Sequence, residues 1–251
     1  MKKDPDLSTA TGAGVRVALI DSGINAQHSH VGFLAGGVAF SVTEDGAVQQ
    51  GDDYADRLGH GTALAGILRA KAPQVELYAV KIFTDRLAAS IAVLEAALRW
   101  AVEQQMQLIN LSLGTANPDH YERLRAIVAQ ANAAGTLIVA SSPPGRVDVL
   151  PAALPGVIGV AGDDRCTWGD HLYIPDDPIP FRAHPCPRPL PGPAQARNFR
   201  GHSFSSAHIS ALLALLFEQR SGLTIDEARE YLIRNAECMA NGRARPKRNA
   251  E

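Results

Sequence analysis

The chain has 251 residues, of which 46% are hydrophobic and 20% are charged, and its formal net charge at pH 7 is −2. This length and composition predict one α/β domain over residues 1–251 with a substantial core. So small a net charge gives no sign of a nucleic-acid partner. The apolar runs are too short and too interrupted to span a bilayer, so we predict no membrane partner either.

Strand-like apolar runs alternate with helical patterns along the chain. This alternation predicts a three-layer α/β fold, with a mostly parallel central sheet and helices on both faces. In chain order we predict a strand over 15–21, a helix over 63–70, a strand over 76–83, a helix over 90–104, a strand over 108–113, a helix over 121–134, strands over 136–140 and 157–161, a helix over 203–220, and a last helix after the capping box that starts at Thr224.

One segment interrupts this alternation. Residues 175–193 contain half of the chain's 16 prolines. This proline density argues against both a helix and a central strand, and predicts a stiff, extended loop. We favour a rigid connector over a lid on a substrate cleft.

The ends of the chain and its cysteines bear on its location. A polar arm over about 1–13 lacks the apolar core of a signal peptide, and a basic tail over about 241–251 is expected to be solvated. We therefore expect a cytoplasmic protein. Cys166, Cys186 and Cys238 are odd in number and widely spaced, which favours reduced, structural thiols over a metal site. No cofactor is expected.

Three short motifs carry residues with catalytic potential. Asp21 ends the first predicted strand, His60 lies between two glycines, and Ser203 precedes a long apolar helix. A serine hydroxyl becomes a strong nucleophile when an imidazole takes its proton, and that imidazole needs a carboxylate to fix its tautomer. Each residue alone would fit a structural role, such as a helix cap for Ser203. Together they favour a catalytic triad.

The order Asp, His, Ser and the sequences around these residues resemble the subtilisin-like serine peptidases (subtilases). The resemblance extends from about Gly14 to the helix after Ser203, and it implies a subtilisin-like fold. It also implies that Asp21 orients the base, His60 is the general base and Ser203 is the nucleophile. By the same resemblance, Ser112, Leu113 and Gly114 form the strand edge that pairs with the substrate backbone.

The chain departs from this family at the oxyanion hole. Family members usually have an asparagine whose side-chain amide stabilises the oxyanion, and Pro143 or Pro144 stands at that position here. Losing such a donor lowers the rate by about 10²–10³-fold, a magnitude measured in subtilisin itself. Candidate replacement donors are Ser141, Ser142 and His202, in addition to the backbone N–H of Ser203. The calcium loop that extracellular members insert after the helix of the base is expected to be absent.

These observations predict a cytoplasmic serine endopeptidase that acts through an acyl-enzyme on a peptide or protein substrate. A restricted substrate, such as the leader of a precursor peptide, is favoured, with peptide-maturation enzymes as possible partners. Two alternatives remain open. The same acyl-enzyme would allow ligation or macrocyclisation, and a weakly active or inactive pseudo-protease would bind peptides along the Ser112 strand edge.

Overall fold

The computed structural model describes residues 4–190 and 192–237, together with two short strands at 239–240 and 243–244. The helices are α1 (His60–Lys71), α2 (Ile91–Glu103), α3 (Tyr121–Ala133), α4 (His202–Gln219) and α5 (Ile225–Asn235). The strands are β1 (Arg16–Asp21), β2 (Gly36–Val42), β3 (Val48–Gly51), β4 (Glu76–Lys81), β5 (Leu108–Leu111), β6 (Leu137–Ser141), β7 (Val157–Gly162), β8 (His171–Tyr173), β9 (Phe181–Ala183), β10 (Met239–Ala240) and β11 (Arg243–Ala244). Two 3₁₀ helices cover Pro118–His120 and Gly192–Arg197.

The strands β1 to β9 form one sheet in the order β3-β2-β4-β1-β5-β6-β7-β9-β8. All neighbours are parallel except the pairs β2–β3 and β8–β9. Each face of the sheet carries its own apolar core. Along β1, Val17 and Leu19 point into the core beneath α1, α4 and α5, while Ala18 and Ile20 point into the core beneath α2 and α3. The predicted three-layer α/β fold is therefore confirmed.

The prediction for residues 175–193 was wrong. The strand β9 lies within this segment and is flanked on both sides, by β7 and by β8. The last two residues of the segment begin the 3₁₀ helix Gly192–Arg197. The physical reason is local: the three residues of β9 contain no proline, so every backbone N–H in the strand is available to the ladder. Arg182 in β9 is also anchored by an ion pair with Asp177.

The polar arm at the start of the chain is tied to two helices. The backbone N–H groups of Thr11 and Gly12 donate to Glu218 Oε2 at 2.7 and 2.6 Å, and Asp4 forms an ion pair with Arg234 at 2.7 Å. Most of the predicted basic tail over 241–251 lies outside the described residues. Within the described part of the chain, no helix is both long and apolar enough to cross a bilayer.

The buried His208 makes the stability of the fold depend on pH. Its Nε2 donates to the carbonyl of Cys186 at 3.0 Å, and its Nδ1 has no hydrogen-bond partner. Burial, with a smaller contribution from the positive charge of Lys71, lowers the pKa of His208 to about 3. The unfolded chain, with an ordinary histidine pKa of about 6.5, therefore binds one more proton than the folded chain between these two pH values.

We expect His208 to make the fold acid-sensitive. Where the unfolded state binds the extra proton, the free energy of unfolding falls by about 1.4 kcal/mol for each pH unit of acidification. Urea denaturation between pH 6.5 and 4.5 measures this change. The free energy of unfolding of His208→Gln should depend less steeply on pH than that of the unmodified chain, whatever the absolute stability of the variant. The exposed His28→Gln serves as a control. If the free energy of unfolding of the unmodified chain and of His208→Gln fell equally steeply on acidification, this expectation would be contradicted.

Candidate active site

Asp21 is fully buried at the carboxyl end of β1, near the middle of the sheet. Its Oδ1 accepts a hydrogen bond from the backbone N–H of Ser22 at 2.7 Å and lies 2.8 Å from His60 Nδ1. Its Oδ2 is buried without a hydrogen-bond partner. In an open parallel sheet, the carboxyl ends of the strands are where functional groups gather, so the sequence correctly placed Asp21 at this edge.

Two glycines allow the start of α1 to approach the end of β1. A Cβ atom on Gly61 would lie 2.1 Å from the carbonyl oxygen of Gly23, and one on Gly23 would lie 2.3 Å from that of Tyr54. Gly23 also has a φ of 93°, in the left-handed region. A side chain on Gly61 would push the helix away from the strand, and one on Gly23 would displace the loop at Tyr54 that leads into the helix. The glycines therefore set the distance between Asp21 and His60.

His60 is the first residue of α1 and is almost fully buried. A neutral imidazole that donates through Nδ1 to Asp21 leaves Nε2 as a proton acceptor. No hydrogen bond from the described residues occupies this Nε2. The ring packs against Phe204, with centroids 5.3 Å apart, and against the partly exposed Phe199, with centroids 6.4 Å apart. His60 is thus held with the tautomer and the free nitrogen that a general base needs.

Sequence reasoning missed Asp56, which fixes the start of α1. Its carboxylate accepts hydrogen bonds from the backbone N–H groups of Leu58, Gly59 and Thr62 and from the hydroxyl of Thr62, at 2.6 to 2.9 Å. Burial disfavours the charged form, but these hydrogen bonds outweigh it and hold the pKa of Asp56 below its ordinary value. The N-cap position of α1 is Gly59 rather than Asp56, so the usual N-cap pattern does not reveal these hydrogen bonds.

Ser203 is the second residue of α4. Its Oγ donates to the carbonyl of Ser112 at 3.1 Å, and no described hydrogen bond joins it to His60. Its backbone N–H lies in the first turn of α4 and has no acceptor among the described residues. His60 and Ser203 line one cavity of about 460 Å³, together with Phe199 and Arg86. Hydrogen bonds between catalytic groups are often absent before substrate binds and form only in the complex.

A buried hydrogen-bond network anchors the start of α4 to β5. Asn110 in β5 donates to Ser112 Oγ at 3.0 Å and accepts from Ser210 at 2.9 Å. Ser112 Oγ donates in turn to the carbonyl of Ser203 at 3.1 Å and lies 3.2 Å from Ser206 Oγ. A fully partnered polar network inside a protein is rigid. It therefore fixes Ser203 relative to the sheet, a role that sequence reasoning did not assign to Asn110, Ser206 or Ser210.

The predicted substrate-binding residues Ser112, Leu113 and Gly114 follow β5 and run past Ser203. The side chain of Ser112 is used in the network just described. Leu113 and Gly114 make no backbone hydrogen bond with the described residues and border a second cavity of about 240 Å³. Gly114 is packed closely, since a Cβ there would lie 2.5 Å from Val149 Cγ1. The backbone of Leu113 and Gly114 is thus available for pairing.

None of the three candidate oxyanion donors lines the cavity that His60 and Ser203 share. Ser142 is buried, and its Oγ donates to the carbonyl of Pro143 at 3.0 Å. Ser141 is buried at the end of β6. The ring of His202 faces Gly162, whose backbone N–H donates to His202 Nδ1 at 2.9 Å. Pro143 and Pro144 are exposed.

His202 is the candidate with an uncommitted donor. Burial, with a smaller effect from Arg182, lowers the pKa of His202 and so favours the neutral ring. Because Nδ1 accepts from Gly162, the proton is on Nε2, for which the described residues supply no acceptor. His202→Ala tests whether this donor reaches the oxyanion: if it does, kcat falls by about 10²-fold with little change in KM, since an oxyanion bond forms mainly in the transition state.

The matched control for this prediction is Ser142→Ala. Its hydroxyl is already committed to Pro143, so kcat should change by less than about threefold, which corresponds to less than ~1 kcal/mol. Both variants are compared on one peptide by steady-state kinetics. Equal, small effects of the two substitutions would leave the Ser203 N–H as the donor and would contradict a role for His202.

The connection after α1 does not fit the calcium loop of the extracellular subtilases. Only residues 72–75 separate α1 from β4. The guanidinium of Arg69 donates hydrogen bonds to the carbonyl oxygens of Pro73 and Val75 at 2.6 and 3.1 Å. A Ca²⁺ site needs six to eight oxygen ligands, which this short connection does not offer. Among the described residues, no group of three or more His, Cys, Asp or Glu side chains is placed to hold a metal ion.

The buried Asp21–His60 pair and the nearby serine at a helix start, on a mostly parallel sheet, are the arrangement found in the class of Asp–His–Ser hydrolases. Residues 12–166 match the model of the subtilase family, a stretch that includes Asp21 and His60. The chain therefore belongs to the subtilase family.

Curated relatives and a solved structure agree with this family. The thermostable alkaline protease of Halalkalibacterium halodurans is 36% identical over 181 residues, which cover 65% of this chain and 47% of that protein. The alkaline elastase YaB of Bacillus sp. (strain YaB) is 29% identical over 250 residues, covering 92% of this chain and 61% of that protein. This chain thus spans about half to three fifths of the length of these relatives.

A crystal structure of a cold adapted subtilisin-like serine proteinase has the same fold. The TM-score is 0.66 at 18% sequence identity, and the match covers 88% of this chain and 82% of the other. At 18% sequence identity, this similarity shows a shared fold and nothing further.

Proposed function

We propose that the chain is a serine endopeptidase that acts through an acyl-enzyme on a restricted substrate, such as the leader of a precursor peptide. The observation that carries this proposal is the 2.8 Å contact between Asp21 and His60, next to a helix-start serine in the same cavity. The family relationship supports peptide-bond cleavage as the reaction.

In the acylation step, Ser203 Oγ turns from the Ser112 carbonyl towards His60. His60 Nε2 takes the hydroxyl proton as Oγ attacks the carbonyl carbon of the scissile bond, and Asp21 stabilises the imidazolium that forms. The carbonyl oxygen gains the negative charge and accepts a hydrogen bond from the Ser203 N–H. His60 then returns the proton to the amine nitrogen as the C–N bond breaks, which leaves an acyl ester on Ser203.

In the second step, a water molecule gives a proton to His60 and attacks the ester carbon. The C–Oγ bond breaks, and Ser203 Oγ regains the proton. The same ester would yield a ligated or cyclic product if an amine replaced the water. Mass spectrometry of the products separates these outcomes: hydrolysis adds 18 Da, the mass of one water, across the two fragments, whereas cyclisation adds none. Cleavage that persists in Ser203→Ala would overturn the proposal.

The arginines beside the cleft support a restricted substrate with acidic residues. Arg86 lines the catalytic cavity, and Arg188 lines a neighbouring cavity of about 610 Å³ that shares Phe199 with it. Neither guanidinium is ion-paired with a carboxylate of the described residues. The other two arginines that line these cavities are neutralised, Arg57 by Asp53 and Arg200 by Asp164. Unpaired arginines bind carboxylates well.

We expect a peptide with glutamates on both sides of the cleavage site to be cleaved with a kcat/KM about tenfold higher than its glutamine counterpart at low salt. The double variant Arg86→Gln/Arg188→Gln should remove most of this difference. Arg99→Gln, on the outer surface of α2, is the control and should preserve it. An equal preference in all three proteins would contradict a role for the cleft arginines.

We also propose that the protein works in the cytoplasm. Cys166 and Cys186 are both buried and unpaired, which suits a reducing compartment. Cys238 lies outside the residues whose side chains are described. Fractionation of the native host would test this location, and recovery of the protein outside the cell would overturn it.

A second candidate function is peptide binding without efficient catalysis. Two observations favour it: Ser203 Oγ is bonded to the Ser112 carbonyl rather than to His60, and none of Ser141, Ser142 and His202 lines the cavity. The unpaired backbone of Leu113 and Gly114 would bind a peptide by adding a strand. Peptide binding by both the unmodified chain and Ser203→Ala, with no turnover by either, would favour this candidate.

A further inference from the structure

Lys71 lies at the end of α1, far from the catalytic centre. It is eleven residues after His60 in the same helix, a rise of about 16 Å along the axis. Its Nζ stands over the ring of Trp168, 5.5 Å from the centroid. No hydrogen bond or ion pair from the described residues holds this Nζ. By contrast, the Nζ of Lys81 donates to the carbonyl of Ala55 at 2.7 Å.

The Lys71 side chain opens on a separate cavity of about 280 Å³ between α1, α4 and β8. Its apolar walls come from the indole of Trp168 and the α4 residues Ile209, Leu212 and Leu215. This cavity has no lining residue in common with the one that contains Ser203. It can therefore accept a small apolar molecule without disturbing the catalytic centre.

The other titratable groups of this cavity are hydrogen-bonded, and His208 Nδ1, which has no partner, is buried. His171 Nε2 donates to the carbonyl of Leu232 at 2.7 Å, and His208 Nε2 donates to that of Cys186 at 3.0 Å. Asp170 accepts a hydrogen bond from the hydroxyl of Thr167. Lys71 is thus the nucleophilic group that the cavity leaves available.

Burial of Lys71 also favours its neutral amine, although the contact of Nζ with the Trp168 ring favours the ammonium form. Burial lowers the pKa of Lys71 to about 8, although the charge of Asp170 opposes this shift. At pH 7.5 about a quarter of such side chains carry the neutral amine, compared with about one in a thousand for an ordinary lysine. The neutral amine is the form that attacks carbonyl groups, and desolvation in an apolar pocket is a known way to activate a lysine.

We propose that Lys71 and this cavity form a second reactive site, which captures small apolar aldehydes as an imine. The Nζ lone pair attacks the aldehyde carbon to form a C–N bond, and the carbonyl oxygen becomes a hydroxyl. That oxygen then leaves as water with both protons of the amine, and a C=N bond remains. No oxidant or reductant takes part, so the capture is reversible. The indole and the aliphatic walls select the apolar body of the aldehyde.

Benzaldehyde with cyanoborohydride tests this proposal, because the reductant converts the imine into a stable benzylamine. The intact chain is treated at pH 7.5 in the presence of free Nα-acetyl-lysine, and labelled peptides are quantified by mass spectrometry. We expect Lys71 to be benzylated at least tenfold faster than the free amino acid and faster than Lys81. Lys71→Arg should lose this label. Labelling of Lys71 no faster than that of the free amino acid would overturn the proposal.

A cavity variant separates binding from simple reactivity. Leu212→Trp narrows the cavity but leaves Lys71 in place. It should slow benzylation at least fivefold and leave methylation of Lys71 by formaldehyde, which is far smaller, within twofold of the unmodified rate. Equal benzylation of the two proteins would show that the cavity does not bind the aldehyde and would overturn that part of the proposal. None of these readouts depends on peptidase activity.

Discussion

Replacement of Asp21 by asparagine is expected to lower kcat by about 10⁴-fold, the size of the effect of this change in another serine protease triad. In the structure, Asp21 Oδ1 accepts from both Ser22 N–H and His60 Nδ1. An amide cannot stabilise the imidazolium, and its NH₂ group, if it faces His60, forces the wrong tautomer. The substitution is nearly isosteric, and Oδ2 has no hydrogen-bond partner to lose. Steady-state kinetics with a cleaved peptide measures the effect.

The exposed Asp119→Asn is the control for this prediction, and it should leave kcat unchanged. A circular dichroism melt of Asp21→Asn establishes that the variant is folded. A folded Asp21→Asn that loses less than tenfold in kcat would mean that His60 does not depend on this carboxylate. This result would contradict a catalytic role for the Asp21–His60 pair.

Removal of the nucleophile should have the largest effect of all. Ser203→Ala is expected to lower kcat by about 10⁶-fold, the loss seen when the catalytic serine is removed from subtilisin. The structural cost is small, because the hydroxyl makes one hydrogen bond, to the Ser112 carbonyl. Active-site titration and long-term product assays are needed to measure the residual rate.

The double variant Asp21→Asn/Ser203→Ala is the more informative test. Residues of a triad act as a unit, so the double variant should be no slower than Ser203→Ala by more than about threefold. Independent contributions would instead multiply the two losses. Multiplied losses would show that Asp21 and Ser203 do not act on the same proton transfer.

Much of the fold could be predicted because its core elements carry strong periodic patterns. The helices α2 and α4 and the strands β1 and β6 were predicted within about two residues, since each is a continuous apolar run or stripe. The strands β2, β3, β8 and β9 were missed, and β3 and β8 lie at the two edges of the sheet. The strand β3 is exposed along its whole length, and β8 has only three residues, so neither shows a clear alternation. Antiparallel pairing with a neighbouring strand, of β3 with β2 and of β8 with β9, decides their conformation.

The positions of Asp21, His60 and Ser203 could be predicted because each stands in a short motif at the end of a strong element. The groups that hold them in place could not. Asp56 bonds to the first turn of α1 from outside the N-cap position, and Asn110 meets Ser210 across 100 residues of sequence. Such contacts leave no local pattern. The direction of the His202 ring also depends on Gly162, 40 residues earlier, so a sequence alone could not show which nitrogen carries the proton.

The most direct test of the account is covalent labelling of the intact chain with a fluorophosphonate, which reacts with serines that a neighbouring base activates. Peptide mass spectrometry of the labelled protein should find one phosphonylated residue, Ser203. Both His60→Ala and Asp21→Asn should label far more slowly, because Oγ then lacks an effective base. Absence of labelling in the folded, unmodified chain, or labelling that persists in Ser203→Ala, would contradict the claim that Asp21, His60 and Ser203 form a working catalytic triad.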